Sequence, residues 1–164
     1  LEGMFQVYYD RVSLGREKVM LEYSTTIKND DFPTSLRGSF ERDRILTYTT
    51  VGVHRDDLNL SLEGYPVKKL GSQGQKKSFL TALKLAQFAY LVKQKGVKPL
   101  LLLDDIFDKL DADRVSQIIQ IVSSTDFGQV FVTDTNREHI DEILQQHAME
   151  YKIFHVERGE VMDL

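Results

Sequence analysis

The sequence predicts an α/β protein in which helices alternate with the strands of a parallel, doubly wound sheet. Two short apolar segments, residues 100–103 and 130–133, have the length and composition of buried strands covered on both faces. A helical pattern lies between them, and other helical patterns precede and follow them. Strands that alternate with helices in this way pair in parallel through right-handed crossovers.

The N-terminal part of the chain has a different pattern. Residues 17–27 alternate between apolar and polar side chains, which predicts a half-buried strand. Residues 30–44 are polar and charged, and Pro33 near their start favours a helix. We therefore predict a domain boundary near residue 45.

The C-terminal part contains the longer helices. Residues 76–95 carry apolar side chains at the spacing of an amphipathic helix, and Gly96 is suited to end it. Further along, the pattern predicts helices from Asp111 to about Ser123 and from Asn136 to about His147, and a strand over residues 151–156.

The composition excludes several classes of protein. The chain has 164 residues, with 41% hydrophobic and 28% charged side chains, as in ordinary globular domains. It contains no cysteine, which excludes disulfides and thiolate metal sites, and its four histidines lack the spacing of metal ligands. The longest apolar segment is too short to span a membrane, and we expect a cytoplasmic protein without a membrane partner. The net charge of -4 gives no support for a nucleic-acid partner.

A glycine-containing segment, Gly71-Ser-Gln-Gly-Gln75, stands directly before the long helix. A helix N-terminus offers free amide N–H groups and the positive end of a dipole, which suit a phosphate oxygen. Gly74 would let the backbone approach an anion, and Ser72 offers a hydroxyl donor. An ordinary loop with a serine cap explains the same residues, so both interpretations stay open.

The same segment is not a P-loop. That motif reads Gly, four residues, then Gly-Lys-Ser/Thr, and here Lys76 occupies the position of its second glycine. No other segment of the chain fits the motif. We therefore expect that this chain alone neither binds ATP tightly nor hydrolyses it.

Four consecutive leucines lead into Asp104 and Asp105. In open parallel sheets, ligands bind beyond the carboxyl ends of the strands. A carboxylate at this position, Asp104, can hold Mg²⁺, usually through water. Its neighbour Asp105 is suited to orient or deprotonate an attacking water. A strand that runs into an acidic turn is the plainer alternative.

The segment Asp108-Lys-Leu-Asp111 follows shortly after. By itself it predicts only a helix cap at Asp111. An EF-hand loop is a poor explanation, because the loop glycine is missing and Leu110 falls among the positions of the ligands.

Taken in order, these motifs resemble those of ABC ATPases. Ser72-Gln-Gly-Gln at the start of a helix resembles their signature motif, commonly Leu-Ser-Gly-Gly-Gln. Residues 100–105 resemble their Walker B motif, and Leu110-Asp111 resembles their D-loop. Within this superfamily, the Ser-Gln-Gly-Gln-Lys-Lys-Ser segment and the helix through residues 82–86 are similar to the RecF family. Residues 51–58 are similar too, since the family typically reads Gly-Pro-His-Arg-Asp-Asp-Leu there.

The resemblance covers nearly the whole chain and implies a parallel-sheet lobe of an ABC-type ATPase head that dimerises around ATP. It implies that residues 1–45 are a remnant of the arm domain and residues 46–164 the C-terminal part of the head. Asp104 would support Mg²⁺, and Asp105 would be the catalytic base. The cofactor-binding residues it implies are Ser72, Gln73, Gly74, Gln75 and Asp111, of which Ser72 and Gly74 would contact the γ-phosphate of nucleotide held by the opposite subunit.

The function that the resemblance implies is ATP-dependent DNA binding in recombinational repair. The implied partners are DNA, especially junctions of duplex and single strand, mediators of the RecO and RecR type, and a second copy of the chain. The sequence departs from the wider superfamily at two points. Most ABC ATPases have Glu where Asp105 stands, and a switch histidine after the next strand, which here ends Val132-Thr133-Asp134. RecF-type proteins often carry Asp and Thr at these places.

Two alternatives stay open at this stage. Another ABC-type ATPase, of chromosome maintenance or transport, would share the motifs, although the His54-Arg-Asp-Asp57 stretch argues against a transporter. A metal-dependent nuclease would use Asp104, Asp105 and Asp108. Such a site needs two ions about 4 Å apart and carboxylates from several strands, whereas this sequence offers one acidic cluster.

Overall fold

The computed structural model describes residues 1–27, 31–105, 108–135 and 150–163. The chain folds as two compact units, Leu1–Gly96 and Val97–Leu164. The described elements form the mixed α/β fold that the sequence predicts. In these ranges, no helix has the length and apolar character needed to cross a membrane.

The first unit contains an antiparallel sheet and its longest helices. In chain order its elements are α1 (Glu2–Ser13), β1 (Val19–Ser24), α2 (Phe32–Leu46), a 3-10 helix (Val53–Arg55), β2 (Asp57–Leu62), β3 (Tyr65–Pro66), α3 (Val67–Leu70) and α4 (Gln73–Lys95). The sheet has the order β1-β2-β3, and Leu21 of β1 lies opposite Leu60 of β2. The predicted strand at β1 and the predicted helix at α2 are confirmed, and Asp31 caps α2 through Thr34 N at 3.1 Å.

Aromatic side chains of α1 and α4 form the core of the first unit. Phe5 and Tyr9 of α1 stack against Phe79 of α4, with ring centroids 4.6 and 5.3 Å from the Phe79 ring. Leu21 and Val67 complete the cluster from β1 and α3. The N-terminal turns of α4 therefore pack against side chains that are almost completely buried.

The second unit begins with a parallel strand–helix–strand segment. It contains β4 (Leu101–Asp104), α5 (Ala112–Val122), β5 (Val130–Thr133), β6 (Phe154–Glu157) and β7 (Glu160–Asp163). Strands β4 and β5 pair in parallel, with Asp104 opposite Thr133. The helix predicted between Asp111 and Ser123 is confirmed, since Asp111 is its N-cap and Ser123 its C-cap.

Two predictions about the sheet are wrong in the described residues. Strand β4 was predicted to be covered on both faces, but Leu101 and Leu103 are buried whereas Leu102 is 64% exposed. The last strands do not extend a doubly wound parallel sheet, because β6 and β7 pair with each other as an antiparallel hairpin. The two-residue turn Arg158-Gly159, with positive φ at both positions, joins antiparallel neighbours, whereas a parallel pair needs a long crossover.

Two further predictions stay as they were. The helix predicted from Asn136 to about His147 lies outside the described residues. The domain boundary near residue 45 stays a prediction, and strands β1 and β2 on its two sides are hydrogen-bonded to each other.

Candidate functional site

Helix α4 begins with a capping box built from Ser72 and Gln75. The Ser72 Oγ accepts a hydrogen bond from the Gln75 backbone N–H at 3.2 Å, and the Ser72 backbone N–H donates to Gln75 Oε1 at 2.8 Å. This reciprocal pair satisfies two polar groups at the start of a helix of 23 residues. The helix starts three residues earlier than predicted, because Gln73, Gly74 and Gln75 form its first turn.

The capped turn leaves an exposed polar surface. Ser72 and Gln73 are exposed, and Gly74 and Gln75 are half-buried. The first amides of a helix point outward along its axis, and its dipole adds positive potential at this end. The Ser72 cap that the sequence allowed is therefore present, and the same turn is suited to an anion.

Gly71 has a role that the sequence did not reveal. A Cβ atom built at Gly71 would lie 2.8 Å from the Val67 carbonyl oxygen and 3.1 Å from Val67 Cγ1. The Gly71 N–H also donates to that carbonyl at 2.9 Å. Any larger residue at position 71 would collide with the backbone of α3. Gly71 therefore allows the chain to pass close to α3 immediately before Ser72, where α4 begins.

Glu17 contacts this loop and is held in turn by Tyr9, and no motif in the sequence indicated either contact. The Gln75 Nε2 donates to Glu17 Oε1 at 3.0 Å, and the Tyr9 hydroxyl donates to Glu17 Oε2 at 2.5 Å. Because Glu17 and Gln75 are 58 positions apart, no periodicity could link them.

Asp104 and Asp105 lie together at the carboxyl end of β4, beside Thr133 of β5. The Thr133 Oγ1 donates to Asp104 Oδ1 at 2.5 Å. The Asp105 backbone N–H donates to the Thr133 carbonyl at 3.1 Å and lies 3.2 Å from its Oγ1. Thr133 therefore holds the side chain of Asp104 and the backbone of Asp105. The Asp105 backbone has a φ of 47°, which turns the chain away from the strand direction.

Asp111 is committed to helix α5. Its Oδ1 accepts from the Arg114 backbone N–H at 2.9 Å, and its Oδ2 lies 3.2 Å from Arg114 Nε. Asp108 instead pairs with Lys109, 3.5 Å away. Within the described residues, no group of three His, Cys, Asp or Glu side chains is arranged to hold a metal ion.

The His54-Arg-Asp-Asp57 stretch makes structural contacts in the first unit. The His54 Nε2 lies 2.9 Å from the Thr49 carbonyl oxygen. The Tyr23 hydroxyl donates to Asp56 Oδ2. This bond holds the pKa of Asp56 below its ordinary value and raises the pKa of Tyr23. The stretch thus ties β1 to the segment that leads into β2.

Comparison with known proteins identifies relatives along nearly the whole chain. No protein-family model matches. The chain is 51% identical over 161 residues to the DNA replication and repair protein RecF of Parabacteroides distasonis, and 48% identical over 161 residues to that of Bacteroides thetaiotaomicron. Both matches cover 98% of this chain, which spans 44% of the length of each relative.

Solved structures share the fold. The structure of the recombination mediator protein RecF with ATP superposes with a TM-score of 0.68 at 24% identity, covering 99% of this chain and 43% of the solved one. A structure of an SMC ATPase superposes with a TM-score of 0.56 at 16% identity, covering 99% of this chain and 82% of the solved one. At these identities the likeness establishes the fold alone.

Proposed function

Because this chain belongs to the RecF family and spans 44% of its relatives' length, we propose that it forms the signature-motif and Walker B part of an ATP-dependent DNA-binding protein of recombinational repair. One observation carries the proposal. Exposed Ser72 caps the start of a 23-residue helix, at the position that the ABC signature motif would occupy. A capped helix N-terminus with a free face is suited to a terminal phosphate.

The roles of the residues follow from their surroundings. Ser72 and Gln73 are exposed at the helix start, and Gly74 is half-buried. Ser72 and the amides of Gln73 and Gly74 would contact the γ-phosphate of nucleotide held by a second copy. Gln75 holds the loop through its capping bonds. Asp111 would position the start of α5 at the dimer interface rather than bind phosphate, since both its oxygens contact Arg114.

The acidic edge fits a contribution to a magnesium site. Asp104 is an exposed carboxylate at the end of a parallel strand, and Thr133 occupies only its Oδ1. Mg²⁺ keeps several waters and takes one or two carboxylates together with phosphate oxygens, so a single protein carboxylate suffices here. Bound MgATP would supply the phosphates that join two copies. Asp105, beside Asp104 but with its backbone turned aside, would accept a proton from the attacking water.

The biological setting is proposed from the family. We infer a cytoplasmic protein that dimerises with ATP, binds DNA at junctions of duplex and single strand, and works with mediators of the RecO and RecR type. Residues 1–45 would belong to the arm and residues 46–164 to the head. The alternatives of another ABC-type ATPase and of a nuclease gain no support from a specific contact in the described residues.

The test uses Ser72→Arg in the full-length protein. The added side chain would fill the space above the helix start, and the cap hydroxyl would be lost. We expect ATP-induced dimerisation, followed by light scattering, to weaken by about 100-fold or more. The affinity of the monomer for ATP, measured by calorimetry, should stay within about twofold, because it rests on residues outside this loop.

Ser24→Arg is the matched control. Ser24 is an exposed serine at the end of β1 in the same unit, so the variant adds the same charge away from the loop. It should dimerise normally. If Ser72→Arg also dimerised normally, the loop would be only a helix cap and the proposal would be wrong.

A further inference from the structure

The side-chain amide of Gln75 is held from two sides. Its Oε1 accepts from the Ser72 backbone N–H at 2.8 Å, and its Nε2 donates to Glu17 Oε1 at 3.0 Å. An ionised carboxylate can only accept hydrogen bonds, so the amide nitrogen must face Glu17. The oxygen must then face the Ser72 N–H. Glu17 thus selects the one orientation of the Gln75 amide that closes the capping box.

Glu17 is itself anchored to the core. Its second oxygen, Oε2, accepts from the Tyr9 hydroxyl at 2.5 Å. Tyr9 is fully buried and stacks on Phe79 of α4, with ring centroids 5.3 Å apart. Tyr9 is therefore linked to α4 in two ways: its ring contacts Phe79 directly, and its hydroxyl is connected to Gln75 through Glu17. A buried aromatic ring cannot move without disturbing its neighbours, so it gives Glu17 a fixed position.

Loss of the Glu17–Gln75 hydrogen bond would change the order of the loop rather than the stability of the fold. Glu17 lies in the connection between α1 and β1 and is half-buried. Without its carboxylate, the Gln75 amide could rotate about its terminal torsion, which has a broad distribution of angles. The Ser72 N–H would then lose its acceptor for part of the time, and the first turn of α4 would fray.

We propose that Glu17, anchored by Tyr9, is a positioning residue for the phosphate-facing turn Ser72–Gln75. The proposal rests on the function proposed above for that turn. Glu17 does not contact nucleotide: it holds Gln75, which holds Ser72. The N-terminal segment that carries α1 thereby influences how readily two copies close on ATP.

The test compares Glu17→Ala with Glu17→Gln in the full-length protein. The alanine variant removes both hydrogen bonds. The glutamine variant keeps an oxygen that accepts from Gln75 Nε2 and an NH₂ group that donates to the Tyr9 oxygen. We expect Glu17→Ala to weaken ATP-induced dimerisation about tenfold, as for the loss of a charge-assisted hydrogen bond, and Glu17→Gln to restore it to within about threefold. ATP affinity of the monomer should be unchanged in both.

Two further variants make the outcome decisive. Glu22→Ala, which removes an exposed carboxylate of β1, should dimerise normally. If Glu17→Ala does not fold, Tyr9→Phe serves instead, since it keeps the buried ring. A loss of about threefold or more in Tyr9→Phe would support the proposal, and normal dimerisation would overturn it.

Ser72→Arg measured in parallel separates the two proposals. If Ser72→Arg blocks dimerisation while Glu17→Ala leaves it unchanged, the positioning role is wrong and the function of the turn stands. If Ser72→Arg is silent, the function of the turn fails first. Equal losses in Glu17→Ala and Glu17→Gln would also overturn the proposal, because the hydrogen-bond geometry would then be irrelevant.

Discussion

The signature-like turn of the first unit and the acidic strand end of the second unit are held in different ways. The turn begins helix α4, whose Phe79 belongs to the hydrophobic core of the unit. A hydrogen bond between Gln75 of the turn and Glu17 holds it further. The acidic end depends on the neighbouring strand β5, because within the described residues the side chain of Asp104 is held by the Thr133 hydroxyl. Its strands also leave one face open, with Phe131 45% exposed beside Leu102.

The difference indicates which of the two regions is supported within its own unit. The turn has its support within its own unit, so its geometry is fixed by residues of this chain. At the acidic end, the paired side chains of Leu102 and Phe131 leave apolar surface exposed on one face of the strands. We therefore expect changes in the core that supports α4, such as Phe79, to act through stability, and changes at the acidic end to act through local chemistry.

The largest expected effect is at Phe79. Its side chain is 2% exposed between Phe5 and Tyr9. Phe79→Ala should lower the free energy of unfolding of the first unit by about 3–5 kcal/mol, measured by urea denaturation of the full-length protein. The neighbouring Leu80 is 54% exposed, so Leu80→Ala should change it by no more than about 0.5 kcal/mol. Equal changes would mean that α4 does not bury the face described above.

A smaller effect is expected at Thr133, and it should be chemical rather than structural. Thr133→Val keeps the shape of the side chain but loses the bond to Asp104. We expect the apparent affinity for Mg²⁺ in the presence of ATP to fall about fivefold to tenfold, with the unfolding free energy nearly unchanged. Thr133→Ser retains the hydroxyl and should restore the affinity. If valine and serine behaved alike, the hydroxyl would have no role in holding Asp104.

The smallest expected effect concerns the response to acid. The Thr50 hydroxyl and the Ser39 hydroxyl donate to Asp43, which holds its pKa below the ordinary value of 3.8. A lowered folded pKa gives stability that is present above the ordinary pKa and lost as pH falls through the folded pKa. Between about pH 5 and about pH 2.5, Asp43→Asn should therefore lose less stability than the unchanged protein. A parallel decline of both in thermal unfolding would contradict this.

The sequence predicted where helices and strands lie more reliably than which residues or strands they pack against. Local signals predicted the caps at Asp111 and Ser72, because a cap depends on residues three or four positions away. The apolar pattern of α4 was less informative. Leu80, Tyr90 and Leu91 are exposed, whereas Ala82, Leu85 and Phe88 are buried, since which stripe of an apolar helix faces the core is decided by tertiary packing.

The same distinction applies to the candidate functional residues: some could be identified from motifs, and others only from the structure. The motifs identified Ser72 to Gln75 and Asp104 to Asp105, which are short contiguous segments. They did not identify Glu17 or Tyr9, and they did not indicate that Thr133 contacts Asp104. Contacts between distant residues leave no mark in a single sequence. The pairing of β6 with β7 was missed for a related reason. The turn at Arg158-Gly159 was recognised, but the partner of each strand was not.

The central claim is that the turn at Ser72 serves nucleotide held by a second copy, whereas Asp105 serves nucleotide held by its own. Mixing two variants of the full-length protein tests this most directly. Ser72→Arg and Asp105→Asn should each be inactive in ATP hydrolysis alone. A mixed dimer would contain one site with both residues intact. At protein concentrations high enough for mixed dimers to form, as checked by light scattering, the mixture should therefore regain up to about a quarter of the normal activity. A mixture as inactive as its two components would contradict the claim.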